Sequence, residues 1–139
     1  MEDDSPAVTQ VVAPRWPAAG GVTETVVGFP TQNQVDHALR QLDGHEPNDL
    51  RLWTPDTSTY LGICGGPERL YGDPHRAQPA VRPLINPDDP SQEPEDIMCG
   101  GQLTYFPRCF LVDRQKALIA AAYYLATAQA DPTLNWEWH

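Results

Sequence analysis

A chain of 139 residues fits one domain and can bury a core without a metal or a disulfide framework. Its 19 acidic and 9 basic residues give a formal net charge of −10, which nucleic acid and anionic lipid would repel and a basic protein or cationic ligand would approach faster. The 40 % hydrophobic and 20 % charged content is that of a globular chain, not a disordered one.

In chain order, Pro6, Pro14, Pro17, Gly20 and Gly21 punctuate residues 1–21, which predicts a flexible N-terminal arm. Residues 22–139 then form a single α+β domain. The β-branched run Thr23–Phe29 predicts a strand ended by Pro30. Thr31 and Gln34 form a capping box, and Val35, Ala38, Leu39 and Leu42 recur at helical spacing until Asp43-Gly44. Three short strands follow at 49–54, 59–64 and 69–71, separated by Pro55-Asp56 and Gly65-Gly66-Pro67, the pattern of an antiparallel meander.

Residues 73–96 hold six prolines, with room for one edge strand near 80–85 and otherwise a long loop. That loop carries Asp88, Asp89, Glu93, Glu95 and Asp96 with no basic residue among them. Residues 97–106 read as one strand with a bend or bulge at Gly100-Gly101. Asp113 caps a helix running to about Ala128, with Ala117, Ala121, Tyr124 and Leu125 on one face. Asp131-Pro132 breaks it, and 134–138 alternate as a last strand, with Trp136 and Trp138 on one side. The expected architecture is α+β: a single antiparallel sheet of about five to six strands with two helices packed on one face.

Signals for chemistry are weak. Cys64, Cys99 and Cys109 are odd in number and none sits at C-x-x-C spacing, so the expectation is three reduced thiols and no zinc site. His37, His45, His75 and His139 are scattered outside any metal-binding spacing. Gly62, Gly65 and Gly66 lack the Lys-Ser/Thr of a phosphate cradle, and no serine lies in a G-x-S-x-G context. The carboxylates of 86–96 lack the calcium-loop pattern. No catalytic residue, metal or cofactor is expected. One enzymatic alternative uses Cys64 as a nucleophile with His75 or His37 as base; the plainer reading is a buried cysteine at a strand end.

The segment Pro107-Arg-Cys-Phe-Leu-Val-Asp-Arg-Gln-Lys-Ala-Leu-Ile-Ala-Ala-Ala-Tyr-Tyr-Leu-Ala-Thr127, followed by Asp131-Pro132 and Trp136, resembles the Imm1 immunity proteins of bacterial polymorphic toxin systems. Tyr60-Leu-Gly-Ile-Cys-Gly-Gly66 and the Gly100-Gly101 pair before Leu103 are similar too, so the likeness spans about residues 23–138. Ala128-Gln129 stands where that family carries a glycine after the threonine. The resemblance implies a cytoplasmic, non-enzymatic protein that binds and blocks a cognate toxin domain, often a nuclease or nucleic-acid deaminase. The acidic N-terminus, Met-Glu-Asp-Asp, is unlike a secretory leader and agrees with the cytoplasmic expectation. An acidic inhibitor can take the place of phosphates in a basic cleft, so Asp88, Asp89, Glu93, Glu95 and Asp96 are the expected toxin contacts, flanked by Tyr71 and Trp53. An acidic adaptor for another basic protein is the remaining alternative.

Overall fold

The computed structural model describes residues 6–17, 20–56, 58–75 and 81–138. Residues 1–5 and 18–19 of the expected arm and 76–80 of the proline-rich segment lie outside them. In chain order the described elements are β1 (Gln10–Arg15), β2 (Thr23–Gly28), α1 (Gln32–Arg40), β3 (Asp49–Trp53), β4 (Tyr60–Gly65), β5 (Leu70–His75), β6 (Val81–Leu84), β7 (Pro94–Cys99), β8 (Gln102–Pro107), α2 (Arg114–Thr127) and β9 (Trp136–Trp138).

Both helices begin where their caps dictate. Thr31 Oγ1 accepts the Gln34 N–H at 3.2 Å while Gln34 Oε1 accepts the Thr31 N–H at 2.9 Å, closing the capping box of α1. Asp113 Oδ1 accepts the Lys116 N–H at 2.9 Å and starts α2; such a cap contributes about 1 kcal/mol.

The expected meander is present. Strands β3, β4 and β5 pair antiparallel in sequence and form one half of a five-stranded sheet of order β2-β1-β3-β4-β5. Alternation sends Val11, Leu50, Leu52, Leu61, Ile63 and Leu70 to one side, where α1 supplies Val35 and Leu39 and α2 supplies Ala117, Ala121 and Tyr124. Leu50 and Leu52 are fully buried; cutting either to alanine would cost about 2–5 kcal/mol. The result is an α+β fold with both helices contributing to the core on one face of an antiparallel sheet. Two small ribbons, β6–β9 and β7–β8, add to it.

The structure departs from the sequence reading at the arm. From Gln10 to Arg15 it is strand β1, inserted between β2 and β3. The prolines and glycines of residues 1–21, Pro14 among them, argued for an arm, and a proline cannot donate to a ladder. However, β1 pairs with β3 only from Gln10 to Val12, and Pro14 falls just past that stretch.

The second departure is at 97–106, expected as one bent strand. Gly100 and Gly101 both take positive φ, +59° and +77°, and form a two-residue turn between β7 and β8. A tight hairpin turn with both central residues left-handed is favoured by Gly-Gly, so the pair reverses the chain rather than bulging it.

The third concerns the thiols. Cys64 of β4 and Cys99 of β7 are joined by a disulfide; Cys109 is free and buried. Sequence spacing could not reveal a pair 35 residues apart, because the reversal at Gly100-Gly101 and the meander bring the two together in space.

Candidate functional site

The helices cover one side of the sheet. On the other, the cross-strand register sets the side chains in rows. Trp53, Tyr60 and His75 lie side by side across β3, β4 and β5; the next row is Arg51, Gly62 and Asp73; the next is Asp49, Cys64 and Tyr71. Val12 extends the Arg51 row onto β1, and Val26 onto β2.

The first row is a run of rings. The Trp53 and Tyr60 centroids are 4.4 Å apart and tilted, and Tyr60 stacks on His75 at 4.8 Å. The Arg51 guanidinium carbon sits 5.1 Å from the Tyr60 centroid, within cation–π range. Gly62 leaves a gap in the middle of the second row: a Cβ there would sit 3.3 Å from the Tyr60 ring.

The third row is walled by the β7–β8 hairpin. The Cys64–Cys99 bond ties the wall to β4, Phe106 stacks on Tyr71 at 4.0 Å, and the Asn48 side-chain oxygen accepts the Gly101 N–H at 3.0 Å. Between wall and sheet lies a cleft of about 250 Å³ reaching Arg51, Tyr60, Asp73 and His75. A neighbouring hollow of about 350 Å³, bounded by Trp16, Val22, Glu24 and Trp53, shares Asp49, Arg51 and Gly100 with it.

Asp49 is the buried charge of this face, 6 % exposed. Burial pushes its carboxyl above the ordinary aspartate value, opposed by the Arg51 guanidinium at 3.5 Å and by the Leu50 N–H that it accepts at 3.0 Å. The face thus combines aromatic rings and a partly exposed arginine, the side-chain types that anchor protein interfaces, with carboxylates beside them.

The acidic residues expected to meet a partner are not one loop. Glu95 and Asp96 belong to β7, while Asp88, Asp89 and Glu93 lie in the segment before it. That segment is pinned to the turn after β8: the Asn86 N–H donates to the Cys109 carbonyl at 2.7 Å, and the Cys109 N–H to the Ser91 carbonyl at 2.9 Å. Three of the five carboxylates meet the chain's own cations. Asp89 pairs with Arg108 at 3.1 Å, Asp88 with Lys116 at 3.8 Å, and Glu95 with Arg69. Glu93 and Asp96 are exposed and make no ion pair with the described residues.

Tyr71 and Trp53 share the helix-free face but sit at opposite ends of it. Tyr71 reaches the hairpin through Phe106, which is paired with Glu95. Trp53 lines up with His75, four residues along β5 from Tyr71, about 13 Å away at strand rise. Trp53 therefore does not flank the acidic segment. Sequence reasoning missed Asp49, Arg51, Tyr60, Asp73 and Phe106 as residues of this face, and singled out His75 only as a base for Cys64. Alternation groups Asp49 and Arg51 with Trp53, but it does not say which side the helices leave bare.

With Cys64 bonded to Cys99, this form of the chain offers no thiolate to the enzymatic alternative. Among the described residues no group of three His, Cys, Asp or Glu could hold a metal, and no helix is long and apolar enough to cross a membrane. In comparisons with known proteins, no family model, curated protein or solved structure matches the chain.

Proposed function

We propose that this chain is an immunity protein, of the kind its sequence resembles in the Imm1 family, that binds and neutralises a cognate toxin domain. The expected toxin is a nuclease or nucleic-acid deaminase whose basic substrate cleft is occluded by the acidic surface. The observation that carries the reading is the sheet face without helices: rings and charges ranked in register beside a walled cleft, on a chain of net charge −10. Such a face suits recognition of another protein's basic surface, and the opposite charges would speed encounter.

A nuclease or deaminase acts in the cytoplasm, which is where this reading puts its inhibitor. There the Cys64–Cys99 bond would be open to reduction.

The test is co-expression with the toxin domain encoded beside this chain in a bacterial host. Rescue of growth is expected, together with a complex that survives gel filtration. A toxin that kills with or without this chain, and does not co-elute with it, overturns the proposal. Reversing Glu93 and Asp96 to lysine should slow association at low salt while leaving the melting temperature unchanged, since neither carries an internal ion pair among the described residues. Reversing Asp88, Asp89 and Glu95 should also slow association, but breaks three internal pairs at about 0–1 kcal/mol each, so it needs a stability control. An association rate indifferent to all five reversals refutes the role of the acidic surface.

A further inference from the structure

The geometry points to β2 as a docking edge that accepts an extended segment of a partner protein in which apolar and basic side chains alternate. This goes beyond the toxin reading, because it is set by the sheet edge and holds for any partner with such a segment.

Strand β2 ends the five-stranded sheet and, among the described residues, pairs only with β1. The Phe29 N–H donates to the Thr9 carbonyl at 2.8 Å, which puts the odd positions of β2 in the hydrogen-bonded pairs with β1. Glu24, Val26 and Gly28 therefore turn their N–H and C=O groups to the free edge. Native edges are blunted by charged side chains, lysine above all, by proline or by a bulge. The sequence Thr-Glu-Thr-Val-Val-Gly of β2 has Glu24 as its one charge and no lysine or proline, and its ladder with β1 is continuous. Apolar side chains are exposed along it: Val22 at 58 %, Val26 at 52 % and Phe29 at 70 %. Phe29 also holds φ at +47°, a strained conformation for an aromatic residue and one that clusters at functional positions. At the opposite edge, by contrast, Leu70 of β5 is bridged to Val112.

A strand added to β2 would send alternate side chains to the two sides of the sheet. Each side has a hollow to receive them. On the helix side a groove of about 400 Å³ runs between Thr25 and Val27 of β2 and Ala38 and Leu42 of the α1 region; Arg15 and His37 also line it and no carboxylate does. It suits an uncharged apolar side chain and disfavours a cation. On the other side the hollow of about 350 Å³ offers Glu24 beside Val22, Trp16 and Trp53. Glu24 makes no ion pair among the described residues. A lysine or arginine there would lay its stem on the apolar surfaces and its charge by the carboxylate. A second copy fits this edge poorly: its β2 would bring Glu24 and no cation, along with another −10 of charge.

The probe is a capped peptide of sequence Arg-Val-Arg-Val-Arg-Leu, titrated at low salt into the isotope-labelled full chain. Amide exchange at Val26 and Gly28 should slow by about ten-fold or more when the peptide is bound. Val26→Pro removes one outward N–H while sparing the bonds to β1, so the fold should persist by melting and the peptide should bind about ten-fold more weakly or worse. Should Val26→Pro fail to fold, Glu24→Lys decides: it should weaken this peptide and spare one with glutamine in place of arginine. The proposal is overturned if no shift develops at millimolar peptide, if a folded Val26→Pro binds as the parent does, or if the protected amides lie elsewhere. It is also overturned if those same amides are protected without peptide in a chain that sediments as a dimer, which would make a second copy the occupant.

Discussion

Removing the Cys64–Cys99 bond should cost this protein much of its margin of stability. The bond closes a loop of 35 residues, and the loop-closure relation gives about 4 kcal/mol at 25 °C for a loop of that length. With an unfolding entropy of about 2.1 cal/mol/K per residue, 139 residues convert this to a fall in melting temperature of about 10–15 °C. What remains to hold the β7–β8 wall is modest. The exposed Arg69–Glu95 pair contributes about 0–1 kcal/mol, the Tyr71–Phe106 stack about 0.5–1.5, and the Asn48–Gly101 hydrogen bond about 1. A two-stranded ribbon is marginal alone, so the hairpin should become sensitive to protease below the global melting point. The assay is thermal melting of the oxidised chain, the phosphine-reduced chain and the Cys64→Ser/Cys99→Ser variant, with thiol titration before and after reduction. The unreduced chain should titrate no fast thiol, because Cys109 is buried and accepts a hydrogen bond from Gln92 Nε2 at 3.3 Å. Two fast thiols in the unreduced chain, or identical melting in all three samples, would refute the reasoning.

Three further outcomes follow from single side chains. Ala128, at the end of α2, holds φ at +57°, where alanine costs about 1–2 kcal/mol more than glycine; its half-buried methyl returns about 0.4, so Ala128→Gly should raise stability by about 0.5–1.5 kcal/mol in urea titration, and a loss would show that packing of the methyl dominates. The Tyr124 hydroxyl is buried with no hydrogen-bond partner among the described residues, and burial pushes its pKa up to about 12; Tyr124→Phe should stabilise by about 1 kcal/mol, and destabilisation would reveal an unseen partner. Asp49 has its folded pKa raised above the unfolded value, chiefly by burial, so the native state holds that proton more tightly. The wild type should therefore lose stability relative to Asp49→Asn as pH rises from the ordinary aspartate value through the raised one, read as the difference of two urea-denaturation series; a flat difference would show that Arg51 fully offsets the burial.

Much of the fold was legible because its signals are local. The capping box at Thr31–Gln34 and the Asp113 cap need only four consecutive residues, and both helices start where those residues stand. The meander was legible because Leu50/Leu52 and Leu61/Ile63 alternate with polar or small neighbours between turn residues. Pro14 misled because proline forbids a ladder bond only on the side its nitrogen faces, and that side is known only once β3 is in place.

By itself, the sequence determined the two helices, the meander, the α+β class and the acidity. These depend on backbone propensity, side-chain period and charge, which neighbours along the chain express. Only the tertiary structure decided which side of the sheet stays bare, which cysteines meet, and how the chain's own cations are spent. Arg69, Arg108 and Lys116 reach Glu95, Asp89 and Asp88 from distant points in the chain, so an acidic run in the sequence becomes in space a largely paired segment, with Glu93 and Asp96 making no ion pair among the described residues. The physical reason is common to all three: strand order and chain reversal set distances between residues far apart in sequence, and charge, disulfide and surface chemistry act through those distances.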